Sequence, residues 1–411
     1  MAKSSLSNRN KFRINIGQVV TNILLVTNAF IWYYYVLYIL QDIIKQVSSN
    51  YFTVALIWSI HFSGIIFSAI VGASLTEKIR GRVYFLIIWM ILGIVSPLTL
   101  ILMNVAYAPS VLAVSFILGV SLGLGMPNCM GYYTDYTNIE TRGGLGGVII
   151  LVSSLGFFLL GIPAIESLFI RALILSFWRL CGLVAFLVIR PHDEWKGKNG
   201  YPTHKIILGQ RSFLLYFVPW TMFSLVNYLS TPVLSQIIER FQTELLLIIR
   251  NVLMGFSAIV GGFLLDSIGR KRMAITGFIM LGFGYSFLGI YPENLFSWYF
   301  HNIVDGAAWG MLFVIFVITI WGDLSYGAPS DKYYAVGVSP FFISKFLQLT
   351  VGEYIAAIIP PSAIFSFVAF FLFLAVIPLM YAPETLPEKK LRERELRSYI
   401  EKAKKVKEKF T

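Results

Sequence analysis

The chain has 411 residues, of which 57% are hydrophobic and only 13% charged. Ordinary soluble domains carry about 25% charged residues, so this composition excludes a water-soluble globular protein. A formal net charge of +12 would suggest nucleic acid in a soluble chain, but here the cations gather in short segments between apolar runs, which argues against that partner.

Apolar runs long enough to cross a hydrocarbon core of about 30 Å recur from end to end. They predict spans at 16–40, 52–76, 83–103, 110–132, 143–164, 168–189, 212–237, 245–266, 273–291, 295–322, 334–358 and 363–382. No short leader with a cleavage site precedes the first run, so no removable signal peptide is expected. With twelve spans and both termini on one side, most of the 33 Lys and Arg fall in the first 15 residues, the even-numbered loops and the tail. The positive-inside rule places that side in the cytoplasm and the chain in the cell membrane. Lys45, Arg171, Arg240 and Arg250 are expected outside or near outer helix ends.

Span one carries Asn22, Asn28, Trp32, Tyr33, Tyr34, Tyr35 and Tyr38, with no acid before Asp42. After span two comes Gly72-Ala-Ser-Leu-Thr76-Glu77-Lys78-Ile-Arg80-Gly81-Arg82. Cys129 lies in span four and Cys181 in span six; two buried thiols suit neither a disulfide framework nor a metal cluster. Arg179 falls within span six and is expected to be buried or to snorkel. Beyond span four stand Asp135, Glu140 and Arg142-Gly143. A polar stretch, 190–211, divides an N-terminal bundle (1–189) from a C-terminal one (212–382), and a charged tail follows (383–411).

The most informative segment ends span eight: Gly262-Phe-Leu-Leu-Asp266-Ser-Ile-Gly269-Arg270-Lys271-Arg272. It reads as a tight turn between two membrane helices. The Gly72 segment is a weaker copy 190 residues earlier, and Asp323 with Asp331-Lys332 repeats Asp135 with Glu140-Arg142 at a similar offset. Two features on one period point to a duplicated helical bundle, the sequence mark of a secondary transporter.

On these motifs the chain resembles the major facilitator superfamily across essentially its whole length. That family's signature between spans two and three, repeated between eight and nine, is Gly-x-x-x-Asp-x-x-Gly-Arg-Lys/Arg. Gly262, Asp266, Gly269, Arg270 and Lys271 match it in full, whereas in the first copy Gly72 and Arg80 fit and Thr76 replaces the acid. The acid-then-Arg142-Gly143 pattern, Pro383-Glu384-Thr385 and, loosely, Arg190 to Trp195 resemble the sugar-porter and organic-ion branch, as does Trp178-Arg179.

The resemblance implies an all-α membrane protein of twelve helices in two pseudo-symmetric six-helix bundles, working by alternating access. It makes Gly262, Asp266, Gly269 and Arg270 gating residues, with Asp135 and Arg142, and Asp323 and Lys332, as symmetry-related pairs of the same network. It also places spans one, four, seven and ten around a central cavity, making Asn28, Trp32, Tyr35, Asn128, Asn227, Tyr228, Asn302 and Trp309 the candidate substrate residues. Amides and rings of this kind suit a sugar-like solute or an organic ion, while Tyr38 is expected in the interfacial belt.

Charges inside spans are costly and mark function or helix pairing. Asp305, Lys345 and Glu353, with Asn302 and Gln348, would form a polar seam on spans ten and eleven. Asp305 or Glu353 takes up a coupling proton with Lys345 as the competing cation, or the lysine forms a static pair with one of them; both readings stand at this stage. No cofactor is expected and no nucleophile–base constellation supports an enzyme, since His61, His192, His204 and His301 are scattered. The expected partners are a small-molecule solute, the bilayer and possible coupling protons, and the chain is expected to act as a monomer. A drug or metabolite exporter on the same fold, and a non-transporting sensor, are the alternative functions.

Overall fold

A computed structural model describes residues 16–47, 50–76, 81–160, 165–189, 202–241 and 244–386, without the side chains of 157–159 and 237–248. The N-terminal segment, Arg80, the Arg190 to Trp195 motif, the Arg240 side chain and the tail beyond 386 lie outside the described residues. All regular structure in the described residues is helical, so each apolar segment satisfies its own backbone groups, as a lipid environment requires.

Twelve apolar segments follow one another. In the first half they are α1 (Ile16–Val47), α2 (Tyr51–Leu75), α3 (Arg82–Leu100, its last turn 3-10), α4 (Ala108–Asp135), α5 (Arg142–Leu159) and α6 (Leu168–Ile189). The second half holds α7 (Arg211–Phe241), α8 (Glu244–Ile268), α9 (Arg270–Ile290), α10 (Leu295–Asp323), α11 (Asp331–Thr350 and Gly352–Ile358, bent by 56°) and α12 (Pro361–Tyr381). Ten are long and apolar enough to span a bilayer alone, α11 qualifies as a broken span, and α5 is a shorter apolar helix. A short helix, His204–Gly209, leads into α7.

The repeat is visible in the backbone. Gly81 caps α3 with φ 109° and Gly269 caps α9 with φ 116°, a conformation open to glycine because it has no Cβ. The residue after each, Arg82 and Arg270, opens the following helix. The counterpart of Arg270 is therefore Arg82 rather than Arg80, and the first-half turn is two residues longer.

The two halves meet along two seams, α2 against α11 and α5 against α8. Close approach at the second seam depends on missing side chains: a Cβ on Gly262 would overlap the Gly143 carbonyl, and one on Gly147 would overlap the Ala258 carbonyl. Small residues at such a crossing let helices pack where lipid supplies no hydrophobic drive. Within the first half, α2 and α4 pack as closely, with Gly72 against the Leu124 backbone and Gly119 against that of His61.

Candidate functional site

A network of buried charges closes one end of the bundle, the end that holds the two glycine turns. Asp266, in the last turn of α8, accepts from the backbone N–H groups of Gly143 at 2.9 Å and Gly144 at 2.7 Å. A carboxylate at the positive N-terminus of α5 is the favourable sign for a helix dipole. Arg270 donates to the same carboxylate at 2.9 Å, to Asp323 at 3.0 Å, and across the halves to the Ile139 carbonyl at 2.5 Å. Glu384 accepts from the N–H groups of Arg270 at 2.9 Å and Lys271 at 3.1 Å, capping α9 as Asp266 caps α5.

The first half uses different chemistry. Thr76 stands where Asp266 stands in the second half, and it bonds the Gly72 carbonyl and the Asn128 side chain. The cross-half contact on the α2/α11 seam is made by Arg82, which donates to both oxygens of Asp331 at 2.9 and 2.6 Å and also pairs with Asp135. Gly131 leaves the room: a Cβ there would overlap Asp331 Oδ1. Arg142 pairs with Asp323 of the other half and donates to the Thr134 carbonyl at 2.9 Å.

The expected candidates Asp135, Arg142 and Asp323 all fall in this charge network. Asp135 pairs with Arg82, and Asp323 with Arg142 and Arg270, while Lys332 lies buried in the first turn of α11. The pairing follows the intra-half symmetry: Arg82 with Asp135 and Arg270 with Asp323 occupy the same places in the two bundles. Arg82 is the cross-half contact missed in the sequence; Gly81-Arg82, two places beyond the expected arginine, is the signal that marks it.

Above this network lies a cavity of about 460 Å³ between the halves, a size suited to a small organic molecule. Its floor includes Met130, Val317, Tyr334 and Ala335, and Thr134 and Tyr334 bridge the halves through their hydroxyls at 3.1 Å. Aromatic residues dominate the walls: Phe30, Tyr33, Tyr34 and Tyr38 on α1, Tyr228 on α7, and Phe341 and Phe342 on α11. Gln41, Ser153, Ser154, Ser339 and Lys345 supply further polar groups.

Of the eight residues expected to meet substrate, Tyr228 alone lines this cavity. Asn28 faces α6 instead, donating to the Trp178 carbonyl at 2.9 Å and accepting from Arg179 at 2.7 Å. Trp32 packs with it: the Arg179 guanidinium lies 5.9 Å from the Trp32 ring and 4.2 Å from the Trp89 ring. Tyr35 is fully buried. Asn128 donates to the Gly72 carbonyl at 3.0 Å, Asn227 to Phe223 at 3.0 Å and Asn302 to Trp298 at 2.9 Å, each closing its own helix packing. Trp309 packs against the rings of Tyr228, Phe223 and Phe313, edge to face with the first and tilted to the others. On α1 the cavity face is the stripe Phe30, Tyr33, Tyr34, Leu37, Tyr38 and Gln41, so Tyr38 belongs to the cavity wall.

The polar seam on α10 and α11 does not form. Asp305 is buried and ion-paired with Arg250, which lies near the outer end of α8 as expected. Lys345 donates to Gln348 at 2.8 Å, and Glu353 is exposed beyond the bend of α11. Tyr285, near this pair, donates to Asn227 at 3.2 Å and meets the His301 ring edge to face.

No protein-family model matches the sequence, and neither does any curated protein sequence. Solved structures do match. The human organic anion transporter MFSD10 (TETRAN) superposes with a TM-score of 0.65 at 13% identity, covering 88% of this chain and 99% of its own. The proton:xylose symporter XylE, a major facilitator protein, superposes with a TM-score of 0.64 at 15% identity, covering 90% of this chain and 97% of its own. This multi-pass membrane protein has the major facilitator fold, and both of those neighbours are transporters.

Proposed function

We propose that the protein is a transporter that carries a small organic solute across the cell membrane by alternating access, with the Asp266 end of the bundle in the cytoplasm. The observation that carries this reading is a solute-sized cavity between two symmetric halves, shut at one end by cross-half ion pairs and helix-terminus contacts. A closure made of a few discrete polar contacts can be exchanged for solvation when the halves rock apart, which is what a two-state carrier needs. The neighbours' solutes, organic anions for one and xylose with protons for the other, mark the range of candidate cargo. Asp305, buried opposite Arg250, is the residue best placed to couple a proton.

The test needs no knowledge of the solute. In a cysteine-free background, Ser154→Cys places a thiol on the cavity wall. A membrane-impermeant thiol reagent should reach it from the outer face of oriented liposomes, and from the cytoplasmic face once Asp331→Asn loosens the gate. Labelling from one and the same face in both proteins would refute alternating access.

A further inference from the structure

Among the described residues, one side chain of a strongly charged type lines the cavity, and it is a lysine. Lys345 on α11 is the sole Asp, Glu, Lys or Arg among the described lining residues, and no described carboxylate lies within ion-pairing distance of it. Asp305 is engaged by Arg250, and Glu353 is exposed two turns further along. One of the three ammonium N–H groups is used by Gln348 Oε1 at 2.8 Å, and the Tyr228 ring lies 5.6 Å away. A neutral amide and a ring face compensate an ammonium only in part within a low-dielectric span, and two donors remain for a ligand.

The rest of the wall describes the remainder of that ligand. Phenyl and phenol rings from α1, α7, α10 and α11 face the space, the hydroxyls of Ser153, Ser154 and Ser339 are donated to nearby backbone carbonyls, and Gln41 supplies the one amide among the described lining residues. A sugar needs many paired donors and acceptors, and the amides that could supply them, Asn28, Asn128, Asn227 and Asn302, are turned into helix packing. An organic cation would find ring faces but would meet the fixed charge of Lys345.

Resting on the transporter reading above, we propose that the solute is a monoanion with a flat apolar or aromatic body. Its carboxylate or sulfonate is held by Lys345, and its body lies against Tyr33, Tyr34, Tyr228 and Phe342. Gln348 is a positioning residue that holds the ammonium over the cavity.

The test uses naphthalene-2-sulfonate, whose charge is permanent, with 2-naphthylmethanol and 2-naphthylmethylammonium as neutral and cationic counterparts. Binding to the full-length protein in lipid nanodiscs should favour the sulfonate over the alcohol by about tenfold or more, the weight of one charge-assisted hydrogen bond. The cation should bind weakest. Lys345→Gln should remove the preference for the sulfonate and Lys345→Arg should keep it, with unchanged thermal unfolding of both variants as the folding control. Gln348→Leu should weaken the sulfonate and leave the alcohol unaffected. Equal binding of the three probes, or a sulfonate preference that survives Lys345→Gln, would overturn the assignment. If the sulfonate binds through Lys345 but proteoliposomes show no counterflow of it, the anion site stands and the transport reading falls. If a neutral solute is carried equally by wild type and Lys345→Gln, transport stands and the anion site falls.

Discussion

Arg82 and Asp331, 249 residues apart, form a two-pronged buried ion pair that joins the halves of the bundle. It occupies the seam where the first-half turn carries Thr76 in place of an acid. On the other seam the second half supplies the carboxylate, Asp266, and the first half supplies helix N–H groups. On this seam the polarity is inverted: the first half supplies the cation and the second half the carboxylate. Loss of the acid from one copy of the turn is thus offset by an arginine already present beside its glycine, and both seams keep a charged lock.

Arg82→Gln should open that lock. Two carboxylates, Asp135 and Asp331, would lose their partner at once, and breaking a buried pair costs about 3–5 kcal/mol. Part of that cost falls on the closed-gate conformation alone, so the population should move toward the cytoplasm-open state. The measurement is the side from which Ser154→Cys is labelled. Unchanged sidedness, with loss only of thermal stability, would assign the pair to structure rather than to gating.

Asp266→Asn should act more mildly. An amide oxygen can still accept from Gly143 or Gly144, but the favourable charge at the α5 terminus and the pair with Arg270 are lost. Loss of the charge at a partly buried helix N-terminus costs up to about 2 kcal/mol, equivalent to roughly tenfold or more in a two-state equilibrium. Flux should fall with little loss of folded protein. Wild-type flux would remove Asp266 from the gate.

Gly262→Val tests the same closure sterically. Its Cβ would overlap the Gly143 carbonyl, which is backbone and cannot step aside. The α5/α8 seam should then fail to close at the gate end, leaving a protein that is labelled from the cytoplasm and does not cycle. Gly209→Val, where a Cβ meets nothing within 4 Å, is the control.

The turn at Gly262 was legible because its residues are chemical punctuation: an acid, a left-handed glycine and cations between two apolar runs. The period of about 190 residues followed from it, and with the period came the two-bundle fold. Helix facing was not legible. In α1 the run Trp32-Tyr33-Tyr34-Tyr35 sends rings in every direction, and a helix packed on most sides has no polar face to give its orientation away. The pairings of Arg82 with Asp331 and Arg250 with Asp305 depend on the register of helices far apart in sequence, which no local pattern encodes. Arg250 is a helix-end cation whose acid lies on α10, one helix away in space and 55 residues away in the chain.

Asp305→Asn probes coupling. The carboxylate is buried and paired with Arg250, so neutralising it leaves that arginine without its counter-charge. Accumulation driven by a pH gradient should be lost, while exchange of solute across the membrane with no gradient should continue. Loss of both would make the pair a structural tie between α8 and α10.

Substitutions on α1 separate the two faces that the sequence left ambiguous. Trp32 does not reach the cavity; it covers Arg179, whose guanidinium is sandwiched toward Trp89 and bonded to Asn28. Trp32→Ala should therefore cost about 3–5 kcal/mol of stability, as large aromatic truncations in a packed interior do, and leave the affinity of the surviving folded protein unchanged. Tyr33 and Tyr34 present their rings to the cavity. Tyr34→Ala should leave stability almost intact, since 45% of that residue is exposed, and should weaken naphthalene-2-sulfonate binding by about tenfold, the scale of one lost aromatic contact. Parallel unfolding and binding curves for the two variants decide between the faces. If Trp32→Ala weakened binding while Tyr34→Ala did not, the solute would lie against α6 and not between the halves.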